Sequence, residues 1–403
     1  MNFLISIFIF WRFCLFLIAW IGGKILPFTP SFPYSDIYLI PSGLPSWLWS
    51  FANFDGVHYL TIAQKGYSAQ FTQVFFPLYP LIINIISKII PFINPVLIGI
   101  LVSNVFFLLS LFVFWKLLSL DYKKQDIRWI ILFLIIFPTS FFFGSIYTES
   151  IFLFFVVLSF YAARKKRWWI AGIFGGLAGA TRLVGILLLP ALLWEWQQEK
   201  LKMTRSVILN LFQDPYKMPK LVQHDSKKIF HFPFSTFHFL PLYLVPLGLI
   251  AYMVYLQLTF GDWLYFWHVQ PVFGAERSGG GLIFLPQVIY RYLKILFTVP
   301  WKQYDFWVSV WELGSVVAGF GLLVIGWLKK IRSSYLVFAF LAITMPTLTG
   351  TFSSMPRYIL VAFPMFIALG LIKNKSFKIL LSVVCYLLSG IFIILFTRGY
   401  WVS

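Results

Sequence analysis

The chain reads as an all-α polytopic membrane protein, and three observations carry that reading. Of its 403 residues 60% are hydrophobic and only 11% are charged, whereas a soluble domain is roughly a quarter charged. Apolar windows of about 20 residues recur, the length a helix needs to cross a hydrocarbon core of about 30 Å. The basic residues fall in short clusters between those windows, as they do in the loops of membrane proteins. The alternating strands of a transmembrane barrel, each about 10 residues long, are absent.

The net charge of +19 therefore marks membrane topology and lipid headgroups as partners, not nucleic acid. Taking the clusters at 116–128, 164–167, 200–228, 329–332 and 373–378 as cytoplasmic orders the helices. A first span over about 2–23 exits to a long outer loop, 24–95, whose "FFPLYPLIINIISKII" is too short and too proline-marked at its start to cross. It reads as a helix lying in the interface; a crossing there would strand the next basic cluster on the wrong side. Spans then follow at about 96–116, 129–144 and 148–163. The stretch "WWIAGIFGGLAGATRLVGILLLPALLWEW" begins and ends beside basic clusters, so it forms two helices with Thr181 and Arg182 at the outer turn. A cytoplasmic loop occupies 197–236, with the polar stretch 204–228 inside it. A span at about 237–259 leads to a second large outer loop, 260–304, and four more at about 306–328, 334–350, 358–372 and 377–396 bring the count to about 11. No internal repeat or domain boundary interrupts 1–403. Cys14 and Cys385 lie inside apolar spans and offer neither a disulfide framework nor a metal site.

Only 13 acidic residues exist, and this topology puts Asp55, Glu149, Asp262, Glu276 and Asp305 on the outer face together with Arg182 and Arg357. Ionisable groups at span ends are costly to bury and are functional candidates. A carboxylate close to a guanidinium suits transfer of a group carried on a phosphate. The acid accepts a proton from an acceptor hydroxyl, and arginine stabilises the leaving phosphate. Each residue also has a plainer reading. Asp55 reads as that base or as the cap of the helix begun by "GVHYLTIAQ". His58 orients Asp55, binds substrate, or is a buried structural imidazole. Glu149 lines the site or serves the dipole of the helix it starts. Arg182, flanked by apolar residues, contacts phosphate; Arg357 does the same or anchors at the interface. Gly172, Gly175, Gly176 and Gly179 are spaced for helix packing, since no strand precedes them and no Walker lysine follows.

Four stretches then line up with a known family: "FDGVHYLTIAQKGY…FFPLYPLI", "SIYTESIFLFF", "WWIAGIFGGLAGATRLVGILLLPALL" and "MPRYILVAFPMFIALG". In that order they resemble the PIG-V-like family, that of the GPI-anchor mannosyltransferase that adds the second mannose, with its bacterial relatives. The resemblance spans most of the chain and leaves 204–228 unmatched. The family's first motif runs closer to W-D-S-x-H-Y; here Phe54 stands for the tryptophan and Gly56 for the serine, with Asp55 and His58 kept. The resemblance implies a GT-C-like bundle with interfacial helices in the first outer loop. It also implies an inverting glycosyltransferase, with a polyprenyl-phosphate sugar, mannose by family, as co-substrate, and transfer to a glycan or lipid-linked acceptor on the extracytoplasmic face. Asp55 becomes the general base, His58, Tyr59, Glu149, Arg182 and Arg357 the substrate-binding residues, and no metal or other cofactor is expected. The "SGGG" run in 260–304 reads as the hinge of a lid. The abundance of Phe, Ile and Lys and the short loops point to a bacterial cytoplasmic membrane. The rival reading is a transporter or lipid flippase, which would place its charges near the midplane in repeated, broken helices.

Overall fold

The computed structural model describes residues 2–29, 34–213, 236–273, 277–278 and 281–402. Among them every regular element is helical. Five helices are long and apolar enough to cross a membrane: Asn2–Ile25, Pro95–Leu118, Phe239–Phe260, Tyr304–Leu328 and Lys375–Thr397. The other expected spans correspond to shorter helices, among them Lys124–Ile136, Glu149–Arg164, Trp168–Thr181 and Ser333–Thr347. At 1.5 Å per residue, the 16 residues of Glu149–Arg164 reach only about 24 Å. Of these, Glu149–Arg164 is the one enclosed by its neighbours. Glu149–Arg164 packs between Pro95–Leu118 and Trp168–Thr181, with Ile151, Phe152, Val156 and Phe160 fully buried.

Two expectations change. The span drawn at 358–372 is broken into the turn Met355–Tyr358, a 3-10 turn Ile359–Val361 and the short helix Pro364–Gly370. Pro356 and Pro364 withhold the amide hydrogens a continuous helix would use. The segment 197–236 begins as helix, because Leu188–Gln213 runs on through a Gln-, Glu- and Lys-rich stretch whose residues propagate helices well. Its remainder, 214–235, which holds most of the 204–228 stretch, and Gly279 and Gly280 of the hinge reading lie outside the described residues.

Between the first two long helices lie Asp55–Lys65 and Leu78–Ile89. The second is amphipathic: Tyr79, Pro80 and Ile83 are buried, and Leu81, Ile85 and Ile89 are exposed. Trp168–Thr181 lies against 236–260 at backbone distance, because its glycines leave room. A Cβ on Gly172 would stand 1.9 Å from the Pro241 carbonyl, one on Gly176 2.7 Å from that of Leu244, and one on Gly248 1.9 Å from that of Gly176. The packing reading of this glycine run holds. It fixes the far end of the helix, where Arg182 stands.

Candidate active site

Four charged residues meet at the helix ends that suit their sign. Asp55 opens Asp55–Lys65 and Glu149 opens Glu149–Arg164, where the backbone amides favour an anion. Arg182 caps the C-terminus of Trp168–Thr181 and Arg357 sits in the turn Met355–Tyr358. Arg357 Nη1 donates to Asp55 Oδ2 at 2.5 Å and its Nε lies 3.6 Å from Glu149 Oε1. Arg182 Nη1 donates to Glu149 Oε1 at 2.6 Å. The order Asp55–Arg357–Glu149–Arg182 is a continuous chain of alternating charge.

Backbone strain holds both ends of the Asp55–Arg357 pair. Phe54, just before Asp55, has φ 61°, and Ser354, three residues before Arg357, has φ 67°, a region that costs most L-residues energy. The surroundings enforce it. Phe54 packs against Phe396 and Trp401 with ring centres 5.7 and 5.4 Å apart. Asn53 donates to the Phe396 carbonyl and accepts on its own carbonyl from the Tyr147 hydroxyl. Gly56, where the family motif has serine, has room for little more: a Cβ would meet the Ile146 carbonyl at 3.3 Å. Phe54, not Asp55, occupies the N-cap position, and the Asp55 carboxylate accepts from Arg357.

These residues line a cavity of about 440 Å³, within the range of small-molecule sites. Asp55, Tyr59, Glu149, Arg182 and Arg357 all border it, and Phe75, Phe76, Leu183, Trp267, Met345 and Val361 give it an apolar wall. The two carboxylates differ in access. The Asp55 side chain is 14% exposed and that of Glu149 1%, so Asp55 is the acid a substrate can reach. Among the described residues, Glu149 Oε2 and Arg357 Nε are buried without a hydrogen-bond partner.

Of the six predicted residues, only His58 is not part of the cavity lining. It is buried, stacked on Phe75 with ring centres 5.1 Å apart, and edge-on to Tyr34. Burial lowers its pKa against the opposing pull of Asp55, so the imidazole is held neutral. Its reach to the site runs through Phe75. Tyr59, one residue on, faces the cavity and meets Phe75 and Tyr79 edge-on. Asp262 turns instead to His268, 2.6 Å away.

Two lining residues escaped the sequence reading. Arg277 Nη2 donates to the Tyr358 hydroxyl at 3.1 Å, and its Nη1 donates to Gln270 Oε1 at 3.2 Å. The guanidiniums of Arg182 and Arg357 lie 5.1 and 5.3 Å from the Tyr358 ring centre. Burial alone would raise the Tyr358 phenol, but the charges of Arg277, Arg357 and Arg182 outweigh it and bring it down to about 8. The signal for Tyr358 was its place beside Arg357. For Arg277 it was an arginine abutting a glycine run.

The family described as Mannosyltransferase (PIG-V) matches residues 3–255, a stretch that carries Asp55, His58, Tyr59, Glu149 and Arg182. No curated protein and no solved structure matches the chain.

Proposed function

Because the chain belongs to the mannosyltransferase (PIG-V) family, we propose that it moves mannose from a polyprenyl-phosphate donor to an acceptor hydroxyl, with inversion, at the extracytoplasmic face of a bacterial cytoplasmic membrane. The observation that carries this reading is the cavity in which Asp55, Glu149, Arg182 and Arg357 meet beside an apolar wall. A sugar on a phosphate fits the charged side and the start of a prenyl chain the apolar side.

In the proposed step the acceptor oxygen attacks the sugar's anomeric carbon opposite the phosphate. The new carbon–oxygen bond forms as the carbon–phosphate-oxygen bond breaks, and the bond's electron pair leaves with the polyprenyl phosphate. Asp55 takes the acceptor's proton. Its Oδ2 is held by Arg357, so the other oxygen is assigned to the acceptor. Arg182 and Arg357, desolvated in the cavity wall, supply positive field where charge builds on the leaving phosphate. Glu149 fixes both guanidiniums, Tyr59 borders the sugar, and His58 steadies Phe75. With charge supplied this way, transfer is proposed to need no metal ion. The chain would cross the bilayer as a GT-C-like bundle of about 11 segments, with Leu78–Ile89 in the interface.

The test is transfer in proteoliposomes from labelled polyprenyl-phosphate mannose to a panel of glycan and glycolipid acceptors, with wild type, Asp55→Asn and an EDTA arm. Labelled product with wild type, unaffected by EDTA and lost with Asp55→Asn, supports the reading. Movement of the donor across the bilayer with no new glycosidic bond overturns it in favour of a flippase.

A further inference from the structure

We propose that Arg277 and Tyr358 are the residues that grip the donor's phosphate by direct hydrogen bonds, while Arg182 and Arg357 stay paired with the carboxylates and act on the phosphate through their field alone. The proposal rests on the polyprenyl-phosphate reading above and begins from charge. Five charged side chains line the cavity, two acids and three arginines. Asp55 is engaged by Arg357 at 2.5 Å and Glu149 by Arg182 at 2.6 Å. Among the described residues no carboxylate pairs with Arg277; its partners there are the neutral Gln270 and Tyr358. Among the described lining residues there is one cation in excess, and Arg277 is the one with no carboxylate contact, Glu312 sensing it only at longer range.

Geometry points the same way. Arg277 comes from a segment remote from the helix ends that carry the acids, and it meets the cavity beside Trp267 and Gln270. A guanidinium bound only to neutral acceptors can trade them for phosphate oxygens, which charge-assisted, forked hydrogen bonds favour. The arginines paired with Asp55 and Glu149 would have to abandon a buried anion to do so, which is costly. Tyr358 completes the grip. Its hydroxyl accepts from Arg277, so its own hydrogen is available to a phosphate oxygen, and two guanidiniums against its ring sharpen that hydrogen as a donor. Phosphate placed there lies beside the guanidiniums of Arg182 and Arg357, 5.1 and 5.3 Å from the Tyr358 ring centre.

The experiment is equilibrium binding to the full chain in nanodiscs of undecaprenyl phosphate and of undecaprenol, the same chain without phosphate. It is run for wild type, Arg277→Ala, Arg277→Lys and Tyr358→Phe, alongside donor KM and kcat in the transfer assay. For Arg277→Ala we expect a loss of about ten- to a hundred-fold in affinity for the phosphate lipid, unchanged undecaprenol binding, and a donor KM raised with it. Arg277→Lys recovers part of the loss, because charge returns without the fork. Tyr358→Phe loses a few-fold. A wild type that prefers the phosphate lipid and an Arg277→Ala protein that keeps that preference overturn this assignment alone. A wild type indifferent to the phosphate overturns the donor class and the assignment with it. Should Arg277→Ala misfold by thermal melting, phosphate preference undiminished from wild type in both Tyr358→Phe and Arg277→Lys overturns the grip.

Discussion

The helix Glu149–Arg164 carries a buried ion-pair network at each end, and the two differ in one respect that separates chemistry from architecture. At its C-terminal end Arg164 binds both oxygens of Asp121 and the Tyr335 hydroxyl, and Arg332 and Ser334 close on Glu195. That end ties three basic clusters together, and its acceptors are met several times over. At the N-terminal end the network of Asp55, Glu149, Arg182 and Arg357 borders a cavity and leaves Glu149 Oε2 and Arg357 Nε unpartnered. Glu199 Oε2, beside Glu195 at the far end, is likewise without a hydrogen-bond partner among the described residues, so what separates the two ends is the cavity, where polar groups left over can turn to a ligand. Burial and charge alone would not have told the two apart.

The comparison breaks most sharply at its two acids. Asp55→Asn is expected to lower transfer by about 10²–10⁴-fold while the melting curve moves little, since Glu149 still faces Arg357. Rate per folded molecule, measured beside the melt, decides it. Glu195→Gln is expected to do the reverse. It leaves Arg332 facing no anion and costs about 3–5 kcal/mol of stability, with the rate per folded molecule kept; a lost rate in a protein that still melts normally would make the far end functional too.

Smaller effects sharpen the picture. Gly176→Ala places a methyl 2.7 Å from the Leu244 carbonyl and should cost about 1–3 kcal/mol by overpacking. It should also shift Arg182, lowering transfer at saturating donor. The smallest expected effect concerns pH. A Tyr358 phenol titrating near 8 is neutral below that value and anionic above it, and the anion repels a phosphate. Donor KM should rise a few-fold between pH 7 and 9 in wild type and stay flat in Tyr358→Phe; equal slopes would remove Tyr358 from the phosphate's surroundings.

Much of this was legible before any coordinates, and the reasons are physical. In so apolar a chain each ionisable residue at a span end stands out, and the alternation of basic clusters was enough to gather Asp55, Glu149, Arg182 and Arg357 at one end. Arg277 was hidden because it lies in a polar loop, where an arginine is ordinary. Tyr358 was hidden because its surroundings are built from three separate segments. His58 was drawn in by its spacing from Asp55. Spacings of three and four residues both share a helix face, and it is Tyr59 that borders the cavity while His58 stacks on Phe75. The break at 355–364 hid for a different reason: the run is apolar throughout, and Pro364 lies inside the span drawn at 358–372.

Ser354 carries a consequence for anyone engineering this protein. It is buried and left-handed in backbone, three residues ahead of Arg357, a position at which glycine would be more comfortable. Ser354→Gly should raise stability by roughly up to 1 kcal/mol, once glycine's extra freedom in the unfolded chain is subtracted. The same swap slackens the tether that aims Arg357 at Asp55. Consensus-style thermostabilisation, applied here without regard to the site, would select a sturdier and slower enzyme.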